Sequence, residues 1–145
     1  MAQGLLARET IADFGEFRAY FRADRDELTF EAFREGDGRA WLLRVPLAAR
    51  SALSALLRDV GPMLPEDTGH AGEARVLRQV SIGPADQLAA VLIAEGDQRA
   101  FALWRREHLR SGWSWTIDVM VVPVELARRL CGLVLQVIDR MAGSP

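Results

Sequence analysis

The sequence predicts an α+β protein. It should hold two tandem repeats of a three- or four-stranded antiparallel sheet, each followed by one long amphipathic helix, packed about a pseudo-twofold as a single domain. Three observations carry this expectation. A slide of 77 positions lays Pro46 on Pro123 and brings two helical hydrophobic patterns into register. Upstream of each proline the apolar residues recur at every second position, and downstream at helical spacing. Between the halves, residues 61–72 hold Pro62, Pro65 and three glycines, the makeup of a linker. The pseudo-repeats then cover residues 5–60 and 73–142, within one domain of residues 1–145.

Taken in order, residues 5–14 are where a fourth strand of the first half would fall. A helix is also open there, because Ile11, Phe14, Phe17 or Arg18, and Phe21 fit a three-four spacing across residues 5–21. Phe17, Ala19 and Phe21 alternate with Arg18, Tyr20 and Arg22, and Leu28, Phe30 and Ala32 alternate with Thr29, Glu31 and Phe33. Both read as strands, separated by the polar turn at residues 24–27. Gly36-Asp37-Gly38 turns the chain into a third strand, residues 39–45. After Pro46 come Ala49, Leu53, Leu56, Leu57 and Val60, one face of a helix. In the second half, residues 75–82, 88–94, 99–106 and 113–122 read as four strands, with turns at 83–84, 96–97 and 111–112. Leu126, Leu130, Leu133, Val134 and Val137 then repeat the helical pattern after Pro123. Each proline is expected in the first helical turn, where its missing N–H has no partner to lose.

A chain of 145 residues, 50% hydrophobic and 26% charged, has the composition of one soluble globular domain. At this size folding buries roughly 70% of the unfolded surface, enough without disulfides or a structural metal. The one cysteine, Cys131, points to a reducing compartment. Arg8 and Glu9 interrupt the apolar start, so no signal peptide is legible, and no stretch approaches the roughly 20 apolar residues of a membrane span. A cytoplasmic protein without membrane contact is the expectation. The formal charge of −2 supplies no global field toward nucleic acid or anionic lipid. All 18 positive residues are arginine. Arginine grips phosphate bidentately and stacks on planar groups, while the same bias also follows from genome base composition.

No catalytic signature is present. His70 and His108 lack a histidine or cysteine at ligand spacing, so no metal and no cofactor is expected. Cys131, between Leu130 and Gly132 on a helical face, reads as a buried and inert thiol. No nucleophile elbow, phosphate loop or dinucleotide fingerprint occurs. The chain reads as non-enzymatic.

A stacking surface is legible. Single-stranded nucleic acid is held by cations along its phosphates and by aromatic rings under its bases. Arg18, Tyr20 and Arg22 share one strand face, and Arg99, Trp104, Arg105, Arg106, His108 and Arg110 cluster further on. Against this, Trp113 and Trp115 share a face with Ile117, Val119 and Val121 and read as core, as does Trp41 beside Leu43 and Val45. Trp104 is better placed, sharing its face with Arg106 while Phe101 and Leu103 take the other. Arg18 and Arg22 also fit the solvated side of an antiparallel sheet.

Antiparallel strands, a proline and a long helix, given twice, resemble the Whirly-like fold, which includes the Whirly proteins, the Pur-repeat proteins and the transcriptional positive-cofactor single-strand-binding domain. The local likeness runs from Arg105-Arg106-Glu107 through Gly112, Thr116-Ile117-Asp118 and Val121-Val122-Pro123 to the helix from Val124. It spans most of the chain as pattern, with few identical residues. The lysine- and glycine-rich signature of the plant Whirly proteins is absent, and the charge is not basic. The resemblance implies single-stranded DNA or RNA bound across the sheet faces, with helices holding the halves together. A competing reading follows if residues 5–21 form a helix: the order then resembles the bacterial type III secretion chaperones, and implies a homo-oligomer or a protein partner held on apolar surface and strand edges.

Overall fold

In the computed structural model, residues 3–36, 38–64, 75–95, 98–108, 112 and 114–142 are described. Among these residues eight strands, numbered β1 to β8 in chain order with the ranges that follow, form one antiparallel sheet in the order β1-β2-β3-β4-β8-β7-β6-β5. The first four are β1 (Gln3–Ile11), β2 (Gly15–Arg22), β3 (Glu27–Arg34) and β4 (Ala40–Pro46), followed by a 3-10 turn, Leu47–Ala49, and helix α1 (Arg50–Val60). Then come β5 (Arg75–Ser81), β6 (Asp86–Glu95), β7 (Gln98–His108), β8 (Ser114–Pro123), a 3-10 turn, Val124–Leu126, and helix α2 (Ala127–Ala142). An α+β architecture is therefore present. Residues 5–21 form most of β1, a turn at 12–14 and most of β2, so the helix on which the chaperone-like order depends does not form. The alternation of Phe17, Ala19 and Phe21 with polar residues wins over the weaker three-four spacing, because pairing with β3 buries Phe17 and Ala19 completely.

Both prolines stand before the first helical turn rather than in it, four residues ahead of α1 and α2. Pro46 and Pro123 end their strands with φ −55°, ψ 139° and φ −54°, ψ 146°, and each precedes a 3-10 turn before its helix. Proline's fixed φ suits an extended strand end as well as a helical start. The 3-10 turns begin at Leu47 and Val124 and the helices at Arg50 and Ala127, each pair 77 positions apart.

The helices lie on one face of the sheet, here called inner, and each reaches past its own strands. Helix α1 packs on β5 and β6, whereas α2 packs on β1 and β8, and the two helices touch. One apolar cluster joins Phe17, Phe30, Leu43, Phe101 and Met120 of the sheet to Leu53, Leu57, Leu130, Val134 and Val137 of the helices. Arg140 donates to the Leu6 carbonyl (3.0 Å), and Arg128 to that of Leu64 (3.0 Å). At the tip of the β1–β2 hairpin, Gly15 is required: a Cβ there would lie 1.8 Å from the Phe33 carbonyl oxygen.

The middle of the sheet is its sparsest joint. Strands β4 and β8 share one registered pair, Leu42↔Val119, whereas β3 and β4 share seven. Beside it, side chains replace backbone pairing. The Asp118 carboxylate accepts the Arg44 backbone N–H (2.9 Å) and the Arg44 Nε and Nη2 (3.1 and 3.0 Å), while Arg105 Nη1 donates to the Arg44 carbonyl (2.9 Å). Asp118 is buried, and its hydrogen bond raises the Arg44 pKa above its ordinary value against the opposing effect of desolvation.

Candidate nucleic-acid interface

Among the described residues no helix lies on the outer face of the sheet, and register alone draws one continuous row across it. Arg8, Arg18, Glu31, Leu42, Val119, Trp104, Ala89 and Gln79 follow one another through direct pairings, one residue from each of the eight strands. At roughly 4.8 Å per interstrand step the row is about 34 Å long, and β2 and β7 stand about 19 Å apart. Arg18 and Trp104 are thus on the same face and the same row.

On β2 the alternation holds as expected. Phe17 and Ala19 face the core, and Arg18, Tyr20 and Arg22 are half-buried on the other side. The arginines there have partners. The Arg18 Nε and the Arg8 Nε (3.0 Å) both donate to Glu16 Oε1, and Arg22 Nη2 pairs with Asp24 (3.2 Å). Arg18 also lies over the Phe33 ring, 4.7 Å from its centre. These contacts shift the titrations: the Arg18 hydrogen bond holds the Glu16 carboxyl below the usual carboxylate range, and the Glu16 hydrogen bond raises Arg18.

On β7 the predicted cluster divides. Trp104 and Arg106 share the outer face, with the guanidinium 3.9 Å from the ring centre, a cation–π contact. His108 is exposed and hydrogen-bonds Gln87 (2.8 Å). Arg105 is not on this surface. It alternates to the inner side with Phe101 and Leu103 and is held by the Arg44 carbonyl and by Asp86 (3.4 Å). Arg99 has the same parity as Phe101, at the far end of the strand, so it does not join Trp104 either. Arg110, Trp113 and His70 lie outside the described residues.

One aromatic expectation is corrected and another holds in part. Trp115 is 61% exposed, not core. A register shift opposite Arg105/Arg106 pairs Arg105 with Asp118 but Arg106 with Thr116, and this irregularity puts Trp115 on the side opposite Val119. Trp41 is half-buried, with Arg39 over its ring (4.9 Å), and it touches both the main core and a small outer cluster. That outer cluster is built from Ala100, Ala102 and Val121, with Ile93, Trp104 and Val119 packed against them. Sequence reading missed Arg8 and Phe33. The charge spacing of Arg8, Glu16 and Arg18 would have drawn them together only once the β1–β2 register was known.

Cys131 is buried, and desolvation pushes its thiol up to about 12, so no thiolate forms near neutral pH. Among the described residues no group of three or more His, Cys, Asp or Glu could hold a metal, and no helix is long and apolar enough to cross a membrane. Compared with known proteins, the chain matches no family model and no curated protein.

Proposed function

We propose that the chain is a non-enzymatic, cytoplasmic protein that binds single-stranded DNA or RNA on the outer face of its sheet. The observation that carries this is the row itself: arginine and aromatic side chains of β2 and β7, distant in sequence, stand on the sheet face over which, among the described residues, no helix lies. What projects there is guanidinium set against rings, Arg18 on Phe33 and Arg106 on Trp104, with Tyr20 between Arg18 and Arg22. Rings offer stacking platforms and guanidiniums reach phosphate, with no need for base-specific contacts. In this reading the two strand-and-helix runs are copies of one unit related by an approximate twofold at the β4–β8 joint. The 77-residue offset of both prolines, both 3-10 turns and both helices supports that view, and with it the resemblance to Whirly-like and Pur-repeat proteins.

Fluorescence anisotropy with a labelled oligothymidylate tests the reading. Affinity should fall as salt rises, with a log–log slope of about −0.7 per phosphate contacted. Arg106→Ala and Tyr20→Ala should each weaken binding, about fivefold or more for the lost stacking ring, while the thermal midpoint of Arg106→Ala stays near that of the parent. Absence of binding at tens of micromolar protein in low salt would refute it.

A further inference from the structure

Arg8 and Arg18 stand directly opposite each other on neighbouring strands, an arrangement that repels unless an anion lies between them. Here the anion is internal. Both Nε atoms converge on the same oxygen, Glu16 Oε1, and the Arg18 guanidinium lies over the Phe33 ring. Exposure fits an exchangeable contact, since the Arg8 side chain is 62% exposed and those of Arg18 and Glu16 are 34% and 26% exposed. Two guanidiniums fixed around one carboxylate oxygen have the donor geometry that a phosphate oxygen takes.

We propose that Arg8 and Arg18 form a phosphate-binding subsite at the β1–β2 edge of the outer face, and that Glu16 occupies it as an internal competitor. As a subsite for a strand's phosphodiester it rests on the nucleic-acid reading; as an anion site it does not. An incoming phosphate displaces the carboxylate, which swings to solvent, so the free protein keeps both guanidiniums oriented and discriminates against weakly held anions. The displacement exchanges one partly exposed ion-pair set for another, so its cost is modest. Acid does not open the subsite near neutral pH, because Glu16 stays ionised to below the usual carboxylate range.

Glu16→Gln tests this, since it keeps the side-chain shape and removes the charge. With the labelled oligothymidylate as probe, Glu16→Gln should bind about two- to tenfold more tightly than the parent, the span two exposed ion pairs would cover, and with a steeper salt dependence. Adding Arg8→Ala to Glu16→Gln should abolish the gain, and Arg8→Ala alone should weaken the parent. Inorganic phosphate, followed by chemical-shift changes at the Arg8 and Arg18 Nε–H groups, separates the sources of the ligand. If the oligonucleotide binds but Glu16→Gln leaves its affinity unchanged or lower, the subsite is overturned and the functional reading survives. If oligonucleotide binds neither protein while inorganic phosphate binds Glu16→Gln, the subsite stands and the nucleic-acid reading falls. If neither probe binds either protein, both are overturned. Should Glu16→Gln fail to fold, Arg8→Ala in the parent decides: unchanged oligonucleotide affinity there refutes the subsite.

Discussion

On either side of the β4–β8 joint, the uncovered face of the sheet is finished in two different ways. The β1–β3 side is a lattice of charges, Arg8, Glu16, Arg18 and Glu31, each beside or opposite another. The β6–β8 side is a floor of small apolar residues: Ala89, Val91, Ala100, Ala102 and Val121 are buried although, among the described residues, no helix lies over them. Neighbouring side chains close over this floor, with Trp41, Ile93, Trp104 and Val119 packed against Ala100, Ala102 and Val121. A sheet without a second layer must either solvate its free face or seal it with its own side chains. This chain does one on each side. An identical change should therefore have unequal effects on the two sides.

The sharpest way to break that contrast is to place an acid on the sealed side. Ala102 is fully buried, so Ala102→Asp should destabilise the fold on the order of several kcal/mol, the effective penalty for an unpaired buried charge. Acids already stand at Glu16 and Glu31 on the other side. Urea unfolding measures the loss; a decrease below about 1 kcal/mol, the scale of an ordinary substitution, would mean that the floor opens readily and is not sealed. Next in size is the joint between the two sides. Asp118→Asn removes a buried charge that accepts three donors from Arg44, and should cost about 1.5–3 kcal/mol, the worth of hydrogen bonds to a charged group. Equal urea midpoints for Asp118→Asn and the parent would show that the joint holds without the Asp118 charge, on its backbone pair, the Arg105 bond to the Arg44 carbonyl and the crossed helices.

Much of this contrast was legible in the residues and part of it could not be. The strand patterns and both helices follow from local periodicity, because alternation and helical spacing are properties of neighbours in sequence. The facing of Trp104 with Arg106, and of Phe101 with Leu103, came from the same rule and holds in the structure. Trp115 broke it, since the rule fails across an irregularity that only pairing reveals. Arg105 reads as part of an arginine run, yet alternation turns it inward, where its role depends on a carbonyl 61 positions away. Arg8 and Arg18 are paired by a hairpin whose first strand competed with a helical pattern, so neither their meeting nor the carboxylate between them could be read from spacing. The crossed placement of the helices is likewise a tertiary fact. Nothing in either amphipathic stripe says which strands it will cover.

The smallest expected effect sharpens the charged side alone. Glu31 lies directly between Arg18 and Leu42 on the transverse row, so a phosphate approaching Arg18 meets its charge while one approaching Arg106 does not. Glu31 is only half-buried, and Glu31→Gln should leave stability within about 0.5 kcal/mol. Its effect should appear in binding: affinity for the oligothymidylate should rise by a few-fold or less, as for one exposed charge pair. Ionic strength then separates electrostatics from altered packing. At 0.15 M salt the Debye length is about 8 Å, shorter than the about 19 Å from β2 to β7. The gain from Glu31→Gln should therefore survive in an Arg106→Ala background, disappear when Arg18 is replaced by alanine, and shrink toward zero near 1 M salt. A gain that persists at high salt, or that depends on Arg106, would place the phosphate path elsewhere on the face.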